Sequence, residues 1–248
     1  MNFLSLIVYI PLQIMFVPLA LIGMCWVAYR QIEISKNLGV SQTAIEILNA
    51  RWTMRAFGLR DDEATAKLAG VVPNTSVFGL WLALLPLWLK LRISGKPFAY
   101  PRIPDARAEG LANFIFFRTL HFDQVIDRVI DDVEQFVMMG AGYDTRAYGR
   151  FRRDGVQVFE LDQPAVQKHK TMGLDDAAIA CDHVKFVGAN FSDGSVFQKL
   201  VAAGFDESKK TLFLWEGVTL YLSGAHVRKT MQDVRGHAGR PWSCATGQ

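Results

Sequence analysis

Hydrophobic residues are unevenly distributed along the chain, and the longest apolar stretch comes first. Between Phe3 and Tyr29 there is neither a charged side chain nor a histidine. A helix that crosses the hydrocarbon core of a membrane needs about 20 mostly apolar residues, so this stretch is long enough. Membrane helices also tolerate its two prolines, Pro11 and Pro18. The pattern predicts a transmembrane anchor over residues 1–32.

A cleaved signal peptide is the competing interpretation of this stretch. The basic start, the short apolar core and the small-residue cleavage site of such a peptide are not evident. Basic residues follow the stretch, beginning with Arg30 and Lys36, whereas none precedes it. Cytoplasmic flanks of membrane helices are rich in Lys and Arg, so we expect a single-pass membrane protein whose main domain is cytoplasmic.

A second apolar run, Val77–Leu89, is shorter and contains Pro86. A run of about 13 residues suits an interfacial, re-entrant or buried helix better than a spanning one. Trp81 and Trp88, with Lys90 just beyond them, are typical of a helix at the headgroup boundary. A core helix of a helical cap explains the run nearly as well. A true second span would put the following domain on the opposite side of the membrane.

The polar segments around this run predict short helices and a linker. Ser41–Phe57 is expected to be a helix with a capping box formed by Thr43 and Glu46, and Asp61–Leu68 a second helix. Three prolines within 94–105 indicate a linker. The predicted organisation is the anchor at 1–32, a helical cap at 33–105 that includes the second apolar segment, and an α/β domain at 106–248.

From position 120 onwards, short apolar runs alternate with helical patterns. Such alternation predicts a parallel, doubly wound α/β sheet, in which ligands bind beyond the carboxyl ends of the strands. A helix is predicted first, over 120–132. The predicted strands are Gln135–Met139, Val156–Leu161, Val184–Val187 and Thr211–Trp215, and the helices between them are Pro164–Met172 and Val196–Ala203.

The first predicted strand leads directly into Gly140, Ala141 and Gly142. Glycines at this place let the backbone turn sharply and bring its amide groups close to a ligand. Such a pair of glycines is weak evidence alone, because an ordinary strand-to-helix turn explains it about as well. The third glycine of the dinucleotide fingerprint is replaced by Thr145, which disfavours NAD.

An acidic residue, Asp162, ends the second predicted strand. It follows the glycines by about 20 residues, the distance at which Rossmann-like sheets place a carboxylate that accepts hydrogen bonds from ribose hydroxyls. Glu160 lies on the same face but further from the strand end. A surface carboxylate that caps the next helix is the alternative. Together the glycines and Asp162 indicate a bound nucleoside without identifying it.

Four further positions are candidates for the same site. Glu216 ends the fourth strand, and Asn190 and Phe191 follow the third, where an amide and an aromatic ring can receive an adenine. Upstream, Arg118 carries a guanidinium that suits bidentate pairing with the carboxylate of an amino-acid-bearing cofactor. Taken alone, Arg118 is more typical of a surface arginine.

These blocks together resemble the leucine carboxyl methyltransferase-like family of S-adenosylmethionine-dependent methyltransferases, which also includes polyketide O-methyltransferases. The similarity covers roughly residues 40–235, and both apolar stretches lie outside the usual pattern. The matching blocks are SQTAIEILNARW, FFRTLHFD, MGAGYDTRAY, VFELDQPAV and LFLWEGVTLYL.

The resemblance implies a Rossmann-like class I methyltransferase sheet with S-adenosyl-L-methionine as the cofactor. The cofactor-binding residues that it implies are Arg118, Gly140, Ala141, Gly142, Asp162, Asn190, Phe191 and Glu216.

The same resemblance implies a role for each of these residues. Arg118 holds the methionine carboxylate, the glycine turn lines the methionyl side, and Glu216 closes the pocket near the amino group. Asp162 binds the ribose. Asn190 and Phe191 flank the adenine, where the family usually has Asp-Leu. Loss of that carboxylate removes a hydrogen-bond acceptor and is expected to weaken cofactor binding.

The implied chemistry is displacement at a sulfonium methyl group. Holding the acceptor and the methyl in a near-attack arrangement lowers much of the barrier of such a reaction. The acceptor is expected to be a carboxylate or hydroxyl on a small or lipid-like molecule, and an ionised carboxylate needs no dedicated base. No catalytic acid or base stands out, because His121 and His226 are interpreted as structural or exposed.

Composition narrows the partners further. The chain is 50% hydrophobic and 21% charged, which is typical of a folded protein. Its net charge of +3 comes without a basic run interleaved with aromatics, which argues against nucleic acid. Cys25, Cys181 and Cys244 form neither a metal-ligand spacing nor a disulfide framework, so no metal is expected and a reducing, cytosolic setting fits best.

The resemblance ends near Val234, and the remaining GHAGRPWSCATGQ lacks strand periodicity. The sheet is therefore expected to be C-terminally truncated after its fourth strand, with an unpaired edge and an incomplete acceptor pocket. Two alternative functions stay open. One is a catalytically inactive, truncated membrane protein, and the other, less favoured, is an NAD-dependent oxidoreductase.

Overall fold

The computed structural model describes residues 3–97, 100–102, 111–192, 194–237 and 243–247. The packing of Cα atoms divides the chain into two compact units, Met1–Leu120 and His121–Gln248. The described part of the N-terminal unit is helical, and the C-terminal unit is α/β. The three-part division inferred from composition stays a prediction.

Six helices contribute to the described part of the N-terminal unit. A short π-helical segment, Arg30–Ile34, joins the first two, and the sixth helix continues into the C-terminal unit. They are α1 Phe3–Tyr29, α2 Ser35–Leu38, α3 Gln42–Ala56, α4 Glu63–Val71, α5 Val77–Ser94 and α6 Leu111–Val129.

Side-chain hydrogen bonds mark the starts of α4 and α5, whereas α3 begins without one. Asp62 caps α4 by accepting a hydrogen bond from the Thr65 amide at 2.9 Å, and Ser76 caps α5 through the Gly79 amide at 3.1 Å. The predicted capping box of α3 is wrong, because the N-cap is Ser41 rather than Thr43, and its side chain makes no capping hydrogen bond.

The second apolar run forms a longer helix than its apolar residues indicate. α5 continues past Leu89 to Ser94, and Gly95 ends it with a left-handed φ of +67°. The extension carries Lys90 and Arg92. Basic residues in the last turn of a helix are stabilised by its dipole, so the helix does not stop where the apolar run does.

α1 and α5 lie antiparallel and touch through glycines. A Cβ atom on Gly23 would lie 2.6 Å from the carbonyl oxygen of Gly79, closer than real Cβ atoms come. Arg30 at the end of α1 donates to the Pro73 carbonyl, just before α5, at 2.7 Å. Small residues allow two helix backbones to approach this closely.

Two described helical stretches are long and apolar enough to cross a membrane, Tyr9–Leu38 and Val77–Ser94. Signal sequences and buried helices of soluble proteins meet the same criterion. Membrane insertion of residues 1–32 therefore stays a prediction.

The described strands form one parallel sheet, which confirms the predicted α/β class. Its order is β3-β2-β1-β4-β5, with neighbours paired in parallel throughout. The chain reverses its direction of winding between β1 and β4, the switch point beside which ligands of such sheets bind. The strands are β1 Gln135–Met139, β2 Gln157–Asp162, β3 Val184–Gly188, β4 Thr211–Glu216 and β5 Ser243–Gly247.

The fifth strand corrects the expectation that the sheet ends at β4. Ser243–Gly247 pairs with β4 in the register Leu212↔Ser243 to Glu216↔Gly247. The segment lacks hydrophobic alternation, but an exposed strand edge offers unpaired N–H and C=O groups to whichever extended segment reaches it. Backbone pairing, rather than side-chain pattern, makes this a strand.

The central strands send side chains alternately into two apolar layers. Val137, Phe159 and Phe213 face the layer that contains α8 and α9 residues. Phe136 and Leu212 face the other layer, which contains residues of α6. The remaining helices of the C-terminal unit are α7 Pro164–Asp176, α8 Val196–Ala202 and α9 Gly224–His237.

A buried ion pair fixes α7 against β2 and the turn after β1. The Lys170 ammonium donates to Glu160 Oε2 and to the Asp144 carbonyl, both at 2.6 Å, and Tyr148 donates to Glu160 Oε1 at 2.9 Å. Lys170 and Glu160 are almost completely buried. Burial raises the pKa of Glu160, whereas the charge of Lys170 opposes that rise. One cation therefore holds three segments together.

Replacing Lys170 by Met is expected to lower the free energy of unfolding by about 3–5 kcal/mol, because Glu160 loses its buried counter-charge. The loss should shrink as the pH falls, since protonation of Glu160 removes the unpaired charge. Urea unfolding of the full chain in detergent at two pH values measures both effects. Lys168→Met, at an exposed position on the same helix, is the control. A loss equal to that of the control would contradict the assignment.

Candidate functional site

The turn after β1 requires glycine. Gly140 has a φ of +74°, and a Cβ atom on it would lie 2.1 Å from a Val218 methyl. The amides of Gly140 and Ala141 both donate to the Leu161 carbonyl, at 2.7 and 3.0 Å. Gly142 has a φ of +48°. The turn is thereby held against the end of β2, and Val218 occupies the position that a Cβ atom on Gly140 would take.

Asp162 is the last residue of β2 and lies directly against this turn. Its Oδ2 accepts a hydrogen bond from the Gly142 amide at 2.7 Å, and its Oδ1 accepts one from the Gln163 amide at 2.7 Å. Burial raises the pKa of Asp162, and these two amide hydrogen bonds act against the rise. An ionised carboxylate has about four acceptor positions, so Asp162 retains acceptor capacity for a ligand.

A buried arginine joins three carboxylates next to this turn. Arg146 Nε donates to Asp123 Oδ1, and its Nη1 donates to Asp144 Oδ2 and Glu216 Oε2, each at 2.7 Å. The Arg146 side chain is fully buried. These carboxylates raise the pKa of Arg146 and outweigh its desolvation. The guanidinium thus stays charged and connects α6, the turn after β1 and the end of β4.

Glu216 occupies the carboxyl end of β4, as predicted. Its bond to Arg146 orients one carboxylate oxygen. Beyond it, Gly217 has a φ of +73°, and Val218 packs over Gly140. Gly140, Gly142, Asp162 and Glu216 are therefore brought to one edge of the sheet. The predicted contact of Glu216 with a cofactor amino group stays a prediction.

Asn190 and Phe191 follow β3, but their side chains differ in environment. Asn190 is exposed, and its Oδ1 accepts a hydrogen bond from the Ser192 amide at 3.0 Å. Phe191 is buried and stacks on Trp215, with ring centroids 6.1 Å apart. Trp215 Nε1 has no hydrogen-bond partner among the described residues. The contact of Asn190 and Phe191 with adenine stays a prediction.

Arg118 lies on α6, five residues before Asp123, in the part of that helix that clusters with the N-terminal unit. Its predicted role as partner of the methionine carboxylate is not tested by the geometry of the C-terminal unit.

The buried ion-pair residues were not assigned roles from the sequence. Asp144, Arg146 and Tyr148 belong to the block MGAGYDTRAY, and Lys170 to α7. Charged residues are usually exposed, so the hydrophobic pattern of the sequence did not indicate that these residues are buried. The sequence does contain one indication of this network, which is the spacing of these three charged or phenolic side chains at i, i+2 and i+4 directly after a glycine turn.

The other reactive groups of the described region show no catalytic arrangement. Burial raises the pKa of the Cys181 thiol, which disfavours a nucleophilic thiolate. His226 lines a cavity of about 240 Å³ beside Phe191, together with Lys229 and Asp233. Within the described residues, no group of His, Cys, Asp and Glu side chains has a metal-binding arrangement.

Comparison with known proteins identifies relatives of this chain. A protein from Mycobacteroides abscessus is 31% identical over 152 residues, which cover 56% of this chain and 50% of the relative. One from Mycolicibacterium smegmatis is 34% identical over 162 residues, covering 64% of this chain and 50% of the relative. Both carry the name of S-adenosyl-L-methionine-dependent methyltransferases. The chain spans about half the length of the curated relatives it matches.

A solved O-methyltransferase family protein from Burkholderia thailandensis aligns with 94% of this chain and 76% of its own, at 15% identity and a TM-score of 0.39. A similarity of this size supports no functional conclusion.

The family comparison agrees with the sequence blocks. The sequence model of one family, described as Leucine carboxyl methyltransferase, matches residues 48–235. This region contains the glycine turn, Asp162 and Glu216, and it covers most of the chain. The chain belongs to the leucine carboxyl methyltransferase family.

Proposed function

We propose that this protein binds S-adenosyl-L-methionine at the carboxyl edge of β1, β2 and β4 and transfers its methyl group to a carboxylate or hydroxyl. The observation that carries this proposal is the contact between the Gly142 amide and Asp162 at 2.7 Å. It joins the glycine turn to the acidic strand end at the winding switch of the sheet, where nucleoside ligands bind.

The residues at this edge fit the cofactor. The glycine turn places backbone amides beside Asp162, and the spare acceptor positions of Asp162 suit the two hydroxyls of a ribose. Glu216 presents a carboxylate, held by Arg146, to a cationic amino group. Bound S-adenosyl-L-methionine would supply an electrophilic methyl group on a sulfonium.

The same geometry disfavours the dinucleotide alternative. In the dinucleotide fingerprint the glycines open an α-helix whose N-terminus faces a pyrophosphate. Here the segment between β1 and β2 contains a 3-10 turn, Arg146–Tyr148, and no α-helix. Thr145 also replaces the third glycine. A titration with NAD(H) should therefore give no binding at concentrations that saturate with S-adenosyl-L-methionine.

The contribution of the protein to methyl transfer is positional. Arg146 and Lys170 hold the turn, the strand ends and α7 in fixed relative positions. An acceptor bound at this edge of the sheet can therefore meet the methyl group in a near-attack arrangement. An ionised carboxylate acceptor already carries its nucleophilic electron pair. A hydroxyl acceptor would need to lose its proton, and no described side chain is assigned that task.

The proposal includes a location for the acceptor. The apolar helix α1 is the anchor predicted at residues 1–32, and Arg30, Lys36, Arg51 and Arg55 after it indicate a cytoplasmic face by the positive-inside rule. An acceptor carried by a lipid would then be available at the bilayer surface.

Asp162→Ala should weaken binding of S-adenosyl-L-methionine by about 1–3 kcal/mol, because the ribose loses a buried acceptor. Isothermal titration of the full chain in detergent measures this change. Asp176→Ala, at the exposed end of α7, should bind as the unmodified chain does. Equal affinities for all three proteins would place the cofactor elsewhere, and absence of any binding to the unmodified chain would favour the inactive-fragment alternative.

Cofactor affinity should fall as the pH is lowered from neutral towards the ordinary titration range of aspartate. Burial raises the pKa of Asp162, so its carboxylate is protonated at a higher pH than that of an exposed aspartate, and the protonated form accepts hydrogen bonds from ribose less well. Asp162→Asn removes this titration. Its affinity should be lower but nearly flat over the same pH range, and parallel curves for the two proteins would exclude Asp162 as the titrating group.

Arg146→Met should lower the free energy of unfolding by about 3–5 kcal/mol, because three neighbouring carboxylates lose their common partner. Arg146→Lys should recover part of this loss, since a single ammonium cannot reproduce the forked contacts of the guanidinium. Chemical unfolding measures both. Arg150→Met removes an exposed ion pair with Asp127 and should cost less than about 1 kcal/mol. Similar losses at 146 and 150 would contradict the network's importance.

A further inference from the structure

We propose that α1 and α5 form one membrane-embedded pair whose exposed apolar surface contacts the acyl chains of a lipid bilayer. The sequence pattern alone leaves α5 open between an interfacial, a re-entrant and a buried helix. The proposal concerns the N-terminal unit and does not depend on the methyltransferase function. When both helices cross the bilayer, the segments after α1 and after α5 lie on opposite sides, so a cytoplasmic C-terminal unit requires that Lys90, Arg92 and Lys96, rather than Arg30, mark the cytoplasmic side.

The two helices are fitted to each other at a crossing where neither tolerates a side chain. A Cβ atom on Gly23 would lie within 3.0 Å of three α5 atoms, two of them backbone. A Cβ atom on Gly79 would lie 2.8 Å from a methyl of Val27. Within a bilayer, where apolar burial does not drive association, close packing through small residues holds helices together.

The rest of the α1 surface is apolar and largely uncovered in the described structure. Ile14 and Ile22 are 70% and 60% exposed, and Phe78 at the start of α5 is 71% exposed. The helices border an apolar groove of about 680 Å³, lined by Leu21, Ile22, Cys25, Trp26, Phe78 and Leu82. Leaving apolar side chains of this size in water costs about 25 cal/mol for each Å² that could be buried. Such a surface requires an apolar partner.

One side of α5 is already occupied by protein. Trp81 packs edge-on against Trp52 of α3, with ring centroids 5.3 Å apart. The available lipid-facing surface is therefore mainly that of α1, with Phe78 contributed by α5.

Basic residues stand at both ends of the pair. Arg30 Cζ lies 5.9 Å from the ring centroid of Trp26, and Arg92 Cζ lies 5.0 Å from that of Trp88. Lys90 itself is buried and donates to the Lys96 carbonyl at 2.7 Å, so Arg92 is the cation available to the headgroups at that end. Arg or Lys beside Trp is typical of the membrane interface, where the cation reaches the headgroups.

The length between these ends fits a hydrocarbon layer. From the Gly23–Gly79 crossing, α1 runs to Arg30 in one direction and α5 runs to Lys90 in the other. At 1.5 Å per residue these two segments together span about 27 Å, close to the hydrocarbon thickness of about 30 Å. The intervening parts of both helices carry no charged side chain. A second protein molecule would need no such match, so the bilayer is the partner that the charge pattern favours.

Photolabelling tests the lipid contact on the full chain. The protein is reconstituted into vesicles of phosphatidylethanolamine and phosphatidylglycerol that contain a phospholipid with a diazirine on its acyl chain, irradiated and mapped by mass spectrometry. Adducts are expected on exposed α1 residues such as Ile14 and Ile22 and on Phe78 of α5. Adducts on α1 without any on α5, or on neither helix, would overturn the proposal. So would protein-protein adducts through α1 in place of lipid adducts.

A crosslink tests the helix pair in the same vesicles. With Cys181 and Cys244 replaced by Ser, the native Cys25 and a Leu82→Cys substitution face the same apolar groove and should be joined by a bis-maleimide. Gly23→Ala should abolish the crosslinked product. Gly70→Ala is the matched control, since a Cβ atom there meets no atom within 4 Å, and it should leave the yield unchanged. A crosslink that survives Gly23→Ala, or that never forms in the parent protein, would exclude the pairing.

Discussion

The guanidinium of Arg146 is the constraint on which the candidate site depends. It is fully buried and donates to carboxylates from α6, from the turn after β1 and from the end of β4. Loss of the guanidinium would leave three carboxylates without their common counter-charge in a medium of low dielectric constant, so the arrangement tolerates little displacement of Arg146. The glycine turn and Glu216 therefore keep their relative positions before any ligand arrives.

A second buried cation, Lys170, stabilises the same edge of the sheet. Lys170 bonds to Glu160 and to the main-chain carbonyl of Asp144, whose side chain pairs with Arg146. The two networks thus meet at one residue. Asp162 lies beside both, and among the described residues it accepts hydrogen bonds from two backbone amides. This difference explains why Asp162, rather than Glu160, has acceptor capacity left for a ribose.

The sequence predicted the central strands well because their apolar runs are short, buried and bounded by glycine or charge. β1 agrees with its predicted bounds, β2 is shifted by one residue, and β3 and β4 each extend one residue further than predicted. The fifth strand was missed, since Ser243–Gly247 has no alternating pattern and exists through pairing with β4. Within the candidate site, chain topology brought Gly142 and Asp162 together as predicted. The partners of Arg146 lie up to 70 residues from it in the sequence, and only the folded chain brings them together.

The glycines show why a sequence alone could not separate function from packing. Gly140 makes room for Val218, whereas Gly23 and Gly79 let two apolar helices touch. Gly70 and Gly149 face no neighbour at all. All five are the same letter in the sequence, and what distinguishes them is the atom that a Cβ would meet. Because that atom belongs to a distant segment in the first three cases, the packing of Val218 on the turn after β1 and the α1–α5 crossing become visible only in three dimensions.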